Sequence, residues 1–217
     1  MTFQVHQLNI IHSNNQQTLC HNLSFDVSPG QILSLMGPSG CGKSTILSAI
    51  AGHLSPEFEC KGHIELNGTN LLPLPAEQRK VGILFQDDLL FPHLNVWENL
   101  AFAMPNHIKR HQRKHRATQT LKALDLISLA ESYPQQISGG QRARVSLLRM
   151  LLSEPNLALL DEPFSQLDSD LRTQFRDWVF GQLQQAAIPT VMVTHDQQDI
   201  PPSQPLMIWP WEVKNAG

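Results

Sequence analysis

The sequence predicts an α/β fold: a mostly parallel sheet with an antiparallel β lobe at its N-terminal side and a helical lobe inserted into it. Three observations predict it. Short, nearly unbroken apolar runs at 31–36 (QILSLM), 157–160 (LALL) and 190–194 (TVMVT) read as strands buried on both faces. Residues 1–30 instead hold short alternating stretches such as Leu23-Ser24-Phe25-Asp26-Val27 and end at Pro29-Gly30, the pattern of antiparallel strands and a turn. From about 96 to 153 the composition turns helical, with Ala, Leu, Gln, Lys and Arg at helical spacing.

In chain order, the run 31–36 feeds directly into a glycine-rich loop, and 44–52 reads as the helix that follows it. Residues 62–72 are strand-like, and 80–85 (KVGILF) is a further buried-strand candidate. The helical stretch then intervenes before strand character returns at 157–160 and 190–194. No internal repeat, low-complexity tract or long linker interrupts this order.

Composition sets the outer bounds. The 217 residues suffice for one large domain or two small lobes sharing a core, and 41% hydrophobic with 16% charged residues is ordinary for a globular chain. A formal net charge of -3 gives no global reason to expect nucleic acid or anionic lipid as a partner. Cys20, Cys41 and Cys60 are odd in number and widely spaced, which reads as a reduced, cytosolic protein. The N-terminus MTFQVHQLNI lacks a basic segment followed by an apolar one, and no apolar run approaches the roughly 20 residues of a spanning helix. If this protein works at a membrane, the expectation is that another chain holds it there.

Three segments carry chemistry. Gly37, Pro38, Ser39, Gly40, Cys41, Gly42, Lys43, Ser44 and Thr45 fit GxxxxGK[ST] in full, after a strand and before a helix. Glycines let backbone N–H groups turn inward around phosphate oxygens, and the helix N-terminus adds partial positive charge. Lys43 is expected to reach the β- and γ-phosphates of a nucleotide, and the Ser44 hydroxyl to ligate Mg²⁺. The strand 157–160 ends in Asp161 and Glu162. Asp161 fits the Mg²⁺-associated acid of a phosphate-loop NTPase, and Glu162 is then placed to polarise the attacking water. The third segment is Ile137-Ser138-Gly139-Gly140-Gln141, immediately before a helix. Its hydroxyl and unobstructed N–H groups make either a second phosphate-binding device or a turn that caps the helix.

Together these segments resemble the ATP-binding cassette ATPases, in which [LI]SGGQ contacts ATP bound to the partner subunit. The resemblance extends over nearly the whole chain and is strongest to the ATPase subunits of bacterial binding-protein-dependent importers. It implies roles for further residues. Gln86, after Leu84-Phe85, is similar to the glutamine that senses Mg²⁺ and the γ-phosphate and borders the permease contact. Ser165-Gln166-Leu167-Asp168 resembles the family's D-loop, with Gln166 where alanine is commoner, and His195 resembles the switch histidine that contacts the γ-phosphate. The resemblance implies a RecA-like phosphate-loop NTPase core organised as 1–86 (β lobe and phosphate loop), 87–155 (helical signature lobe) and 156–217. It implies ATP and Mg²⁺, a head-to-tail homodimer, permease subunits, an indirect link to a substrate-binding protein, and a place on the cytoplasmic face of the inner membrane. An exporter subunit and a soluble, non-transport ATPase are the alternatives; no nucleic-acid partner is expected.

Two departures from the family pattern stand out. The stretch Ile10-Ile11-His12-Ser13-Asn14-Asn15 has no aromatic residue to stack on adenine, His12 being the nearest substitute. After His195 the chain runs through Pro201-Pro202 and Pro205 to Trp209-Pro210-Trp211 and ends at Gly217, where no regulatory domain is expected.

Other features have plainer readings. The basic stretch 109–116 is expected to be a solvated helix face, and His107, His111 and His115, four apart, would share one face of a continuous helix as exposed histidines rather than zinc ligands. Phe91, Pro92, Leu94, Val96 and Trp97 serve either local core packing or, as the resemblance implies, the groove that receives a permease helix.

Overall fold

Alternation of apolar and polar residues dictates the first two strands, β1 (Phe3–His12) and β2 (Thr18–Val27), which pair antiparallel with Phe3 opposite Val27. A computed structural model describes residues 2–85, 87–167, 169–210 and 212–215. β4 (Phe58–Leu66) adds to the other side of β1 and β5 (Thr69–Asn70) to β4, giving a four-stranded antiparallel sheet of order β2-β1-β4-β5.

The second sheet holds β3 (Ile32–Met36), β6 (Val81–Leu84), β7 (Leu157–Asp161), β8 (Thr190–Thr194), β9 (Pro205–Ile208) and β10 (Glu212–Asn215) in the order β10-β9-β3-β8-β7-β6. β3 runs parallel to β8 and β9, and β7 parallel to β8, with Met36 opposite Thr194 and Asp161 opposite Val193. Parallel pairing brings the ends of β3, β7 and β8 out at one edge, the edge where open α/β sheets bind ligands. The apolar runs at β7 and β8 are buried as expected. β6 is different: Val81 and Ile83 are only half-buried, because β6 is the terminal strand and has a neighbour on one side only.

Two compact units divide the chain. The first comprises 1–83, 156–162 and 178–217; the second comprises 84–155 and 163–177. The core of the first unit is made by Phe3, Val5, Leu8 and Ile10 of β1 with Leu33 and Leu35 of β3, Leu157 and Leu159 of β7, and Ile46, Leu47 and Ile50 of helix α1 (Lys43–Ala51). Arg79, 6% exposed, closes the C-terminal end of α1 by donating to the carbonyls of Ala49 and Ile50 at 2.8 Å each, and also to Leu74 and Leu72 at 2.8 and 3.3 Å. These bonds satisfy last-turn carbonyls that have no partner within the helix.

In the second unit, α2 (Val96–Ala103) opens on a reciprocal cap between Asn95 and Glu98 and packs against α3 (Arg110–Lys122) and α4 (Gly139–Leu152). Asn99, fully buried, accepts from the N–H of Phe91 and donates to the carbonyls of Phe91, Leu94 and Asn95, pinning the segment that enters α2. Val96 is buried, whereas Phe91, Leu94 and Trp97 are half-buried and Pro92 exposed. α5 (Ser169–Gln185) leads to β8.

The basic stretch is solvent-exposed as expected, apart from half-buried Arg113, but its cations are engaged rather than bare. Arg113 donates to the carbonyls of Ala101, Pro105 and Ile108, Lys114 pairs with Glu131 at 2.9 Å and lies over the Trp97 ring, and Arg116 pairs with Glu154 at 2.7 Å. The Lys114 bond is the main reason the Glu131 carboxyl sits below the usual range. The three histidines do not share a helix: His107 lies before α3, in a turn closed by Ile108 N–H on the Pro105 carbonyl, and its Nε2 is 3.2 Å from Glu154. Among the described residues no helix is long and apolar enough to cross a membrane.

Candidate functional site

β3 delivers the chain to the loop 37–42, and the loop ends where α1 begins at Lys43. Gly42 caps α1 at φ 93°, a left-handed conformation that favours glycine. Gly37 is required for a second reason: a Cβ there would lie 2.8 Å from Trp209 Cβ and 2.9 Å from Cys41 Sγ. Pro38, Ser39 and Gly40 are exposed, while Lys43 is 7% exposed and folds back so that Nζ donates to the carbonyls of Gly37 (2.8 Å) and Pro38 (2.9 Å). An ammonium held by two neutral carbonyls inside its own loop is available to a stronger acceptor such as a phosphate oxygen.

Asp161 ends β7 and hydrogen-bonds Ser44, the second residue of α1. Burial pushes the Asp161 carboxyl up; the Ser44 bond opposes this, the Glu162 charge adds to it, and the Lys43 charge opposes it. A half-buried carboxylate beside a hydroxyl, both hard oxygen donors, suits a Mg²⁺ ion that also takes phosphate oxygens.

Glu162 follows with φ 47°, in the left-handed region where a non-glycine residue is strained, and its N–H donates to the Val193 carbonyl at 2.9 Å. His195 follows the last residue of β8. Because Asp161 is opposite Val193, the two strand ends emerge side by side, and His195 Nδ1 lies 3.0 Å from Glu162 Oε1. The turn carrying His195 is fixed from behind: Thr194 Oγ1 accepts from Asp196 N–H at 3.0 Å and donates to Asp199, a carboxylate 2% exposed, at 3.1 Å.

Lys43, Ser44, Asp161, Glu162 and His195 therefore converge within the first unit, with Thr45 in the first turn of α1 behind the loop. Ser138, Gly139, Gly140 and Gln141 belong to the second unit. There Ser138 caps α4: its hydroxyl accepts from Gln141 N–H at 3.3 Å, and Gln141 Oε1 accepts from Ser138 N–H at 2.9 Å. The capping role expected of such a turn is real, and it orients the free N–H groups of the first turn outward along the helix axis. Gln86 and Asp168 lie outside the described residues. His12 stands edge-on to Phe58, ring centroids 5.1 Å apart, and its Nδ1 accepts from Asn14 N–H. Sequence reasoning missed Arg79 and Asp199; each is a charged residue nearly absent from the surface, a property no local motif encodes.

A phosphate loop, an acid-ended strand and a histidine at the next strand end, on one parallel sheet, define a nucleotide-binding protein of the phosphate-loop class. Residues 20–165 match the family model for ABC transporters, and the chain belongs to that family as an ATP-binding subunit. It is 48% identical over 186 residues, 86% of each chain, to the uncharacterized ABC transporter ATP-binding protein YnjD of Escherichia coli K12. It is also 42% identical over 191 residues to the Fe(3+) ions import ATP-binding protein FbpC 2 of Haemophilus influenzae. Identity to the sulfate/thiosulfate import ATP-binding protein CysA of E. coli K12 is 40% over 197 residues. The last two matches cover 85% and 88% of this chain but 52% and 53% of those relatives, so the chain spans about half their length. The fold is that of the dimeric ATP-binding cassette MJ0796, solved in a post-hydrolysis state bound to ADP and phosphate: TM-score 0.80 at 26% identity, over 95% of this chain and 93% of that one.

Proposed function

We propose that the protein hydrolyses ATP and that the hydrolysis drives a separate membrane permease, in the direction of import. The convergence of Lys43, Ser44, Asp161, Glu162 and His195 at the ends of β3, β7 and β8 carries this reading. Phosphoryl transfer needs little covalent help; it needs positioning and charge stabilisation. Lys43 exchanges the Gly37 and Pro38 carbonyls for β- and γ-phosphate oxygens, and the N–H groups of Gly40, Cys41, Gly42, Ser44 and Thr45 cradle the phosphates. Ser44 and Asp161, with Gln86, would hold Mg²⁺, which when bound neutralises phosphate charge. Glu162 accepts a proton from the attacking water, and His195, oriented by Glu162 and by the Thr194 turn, contacts the γ-phosphate.

Two copies associate head to tail, so that each ATP lies between one phosphate loop and the partner's Ser138, Gly139, Gly140 and Gln141. The dimeric MJ0796 cassette supports this assembly. The importer reading draws on the names of the iron and sulfate relatives. It implies permease partners, an indirect link to a substrate-binding protein, and a peripheral position on the cytoplasmic face of the inner membrane.

Mixed dimers test the arrangement. Lys43→Ala and Ser138→Arg subunits are each expected to be inactive alone. Mixed together, both defects fall on one ATP site and the other site is whole. Measurable ATPase activity in the mixture supports the sandwich. Its absence, with mixed dimers demonstrated, overturns independent composite sites.

A further inference from the structure

α4 presents Arg142, Ser146 and Arg149 at intervals of four and three, which puts them on one face of the helix. All three grip the segment that follows Gln86. Ser146 Oγ donates to the Asp88 carbonyl at 2.7 Å. Arg149 donates to the carbonyls of Leu89 at 2.8 Å and Asp88 at 3.2 Å, and its guanidinium lies over the Phe91 ring.

Arg142 does more than hold that segment. Its Nε donates to the Asp88 carboxylate at 2.8 Å and its Nη1 to the Ile137 carbonyl at 3.0 Å. One planar group thus joins the loop after β6 to the residue immediately before Ser138. The same turn is backed by Gln166: a Cβ on Gly140 would lie 3.2 Å from the Gln166 carbonyl oxygen, and one on Gly139 would lie 3.7 Å from Arg142 Nη2 and 3.9 Å from Gln166 Oε1.

The charge arrangement singles out this joint. A cation in the first turn of a helix opposes the helix dipole, so Arg142 is unfavourable there without an acid. Asp88 supplies that acid from 54 residues away, with both side chains largely withdrawn from solvent at 35% and 25% exposure. A guanidinium gripping two acceptors fixes direction as well as distance, which an ammonium cannot do.

We infer that Arg142, with Asp88 as its charge partner, is a positioning residue that gears the turn Ser138–Gly139–Gly140 to the segment 87–91. Displacement of residues 87–91 then moves the turn that faces the partner's ATP. The inference rests on the proposed sandwich arrangement.

The test uses the full chain carrying Glu162→Gln, in which hydrolysis is stopped, and follows ATP-dependent dimerisation by size-exclusion chromatography with light scattering. kcat and KM are measured in the chain that retains Glu162. Asp88→Asn keeps the shape and loses the charge; Arg142→Lys keeps the charge and loses the fork. Each is expected to weaken dimerisation on the order of tenfold and to lower kcat, with monomer affinity for a fluorescent ATP analogue unchanged and Tm lowered only slightly, the chain staying fully folded at the assay temperature. The double variant is expected to lose no more than the worse single one. Undiminished dimerisation in Asp88→Asn, or losses that multiply, would overturn the gearing. Ser138→Arg is the control. If it abolishes dimerisation while Asp88→Asn does not, the gearing alone fails; if it dimerises normally, the sandwich fails and the inference with it. Should Arg142→Lys not fold, Asp88→Asn decides the matter alone.

Discussion

Glu162→Gln separates chemistry from structure in this site. The amide keeps the length of the side chain and still offers an oxygen to His195, which lies 3.0 Å from Glu162 Oε1. Backbone strain at φ 47° is common to both residues and cancels in the comparison. Folding stability is therefore expected to change by less than about 1 kcal/mol. Catalysis is a different matter, because an amide does not accept a proton from water. A positioned general base contributes about 10²–10⁴-fold, equivalent to roughly 3–5.5 kcal/mol of transition-state stabilisation. ATP binding, proposed to run through Lys43 and Ser44, is expected to be untouched. In the proposed sandwich, ATP is a ligand of the closed dimer only, so arrested hydrolysis is expected to shift association by mass action. Steady-state phosphate release and size-exclusion chromatography read the two effects. The expected result is slow turnover with a dimer that forms in ATP and not in ADP, and that is lost when Lys43→Ala is added. Near-normal turnover would falsify the role given to Glu162.

Two further outcomes follow from side chains outside the reacting groups. Arg79→Met strands four carbonyls that now share one guanidinium, two of them at the end of α1, and is expected to cost about 2–4 kcal/mol by urea denaturation; a loss under about 1 kcal/mol would refute its capping role. Maleimide is expected to label Cys41 first at neutral pH and to be slowed by MgATP, since Cys41 lies in the phosphate loop beside a helix N-terminus and Lys43. Burial holds the Cys20 thiol up at about 12 and also raises Cys60, so faster labelling at either, or no protection by nucleotide, would refute this.

The glycine-rich loop, the buried strands at 157–160 and 190–194 and the helix-capping turn at Ser138 were legible in the sequence because each is encoded within a few adjacent residues. Glycines at left-handed positions, an unbroken apolar run or a Ser–Gln capping pair fix local conformation without reference to the rest of the chain. What the structure alone decided depends on which segments become neighbours. Glu162 meets His195 across 33 residues because parallel register sets Asp161 opposite Val193. Trp209 stands over Gly37 because β9 lies beside β3. KVGILF is only half-buried because its strand terminates the sheet. Arg113, indistinguishable in sequence from its basic neighbours, turns onto the carbonyls of Ala101, Pro105 and Ile108 once α2 and α3 pack together. Local propensity acts over a turn or a strand. Strand order, register and the partners of buried charges are set by long-range packing, which adjacent residues do not specify.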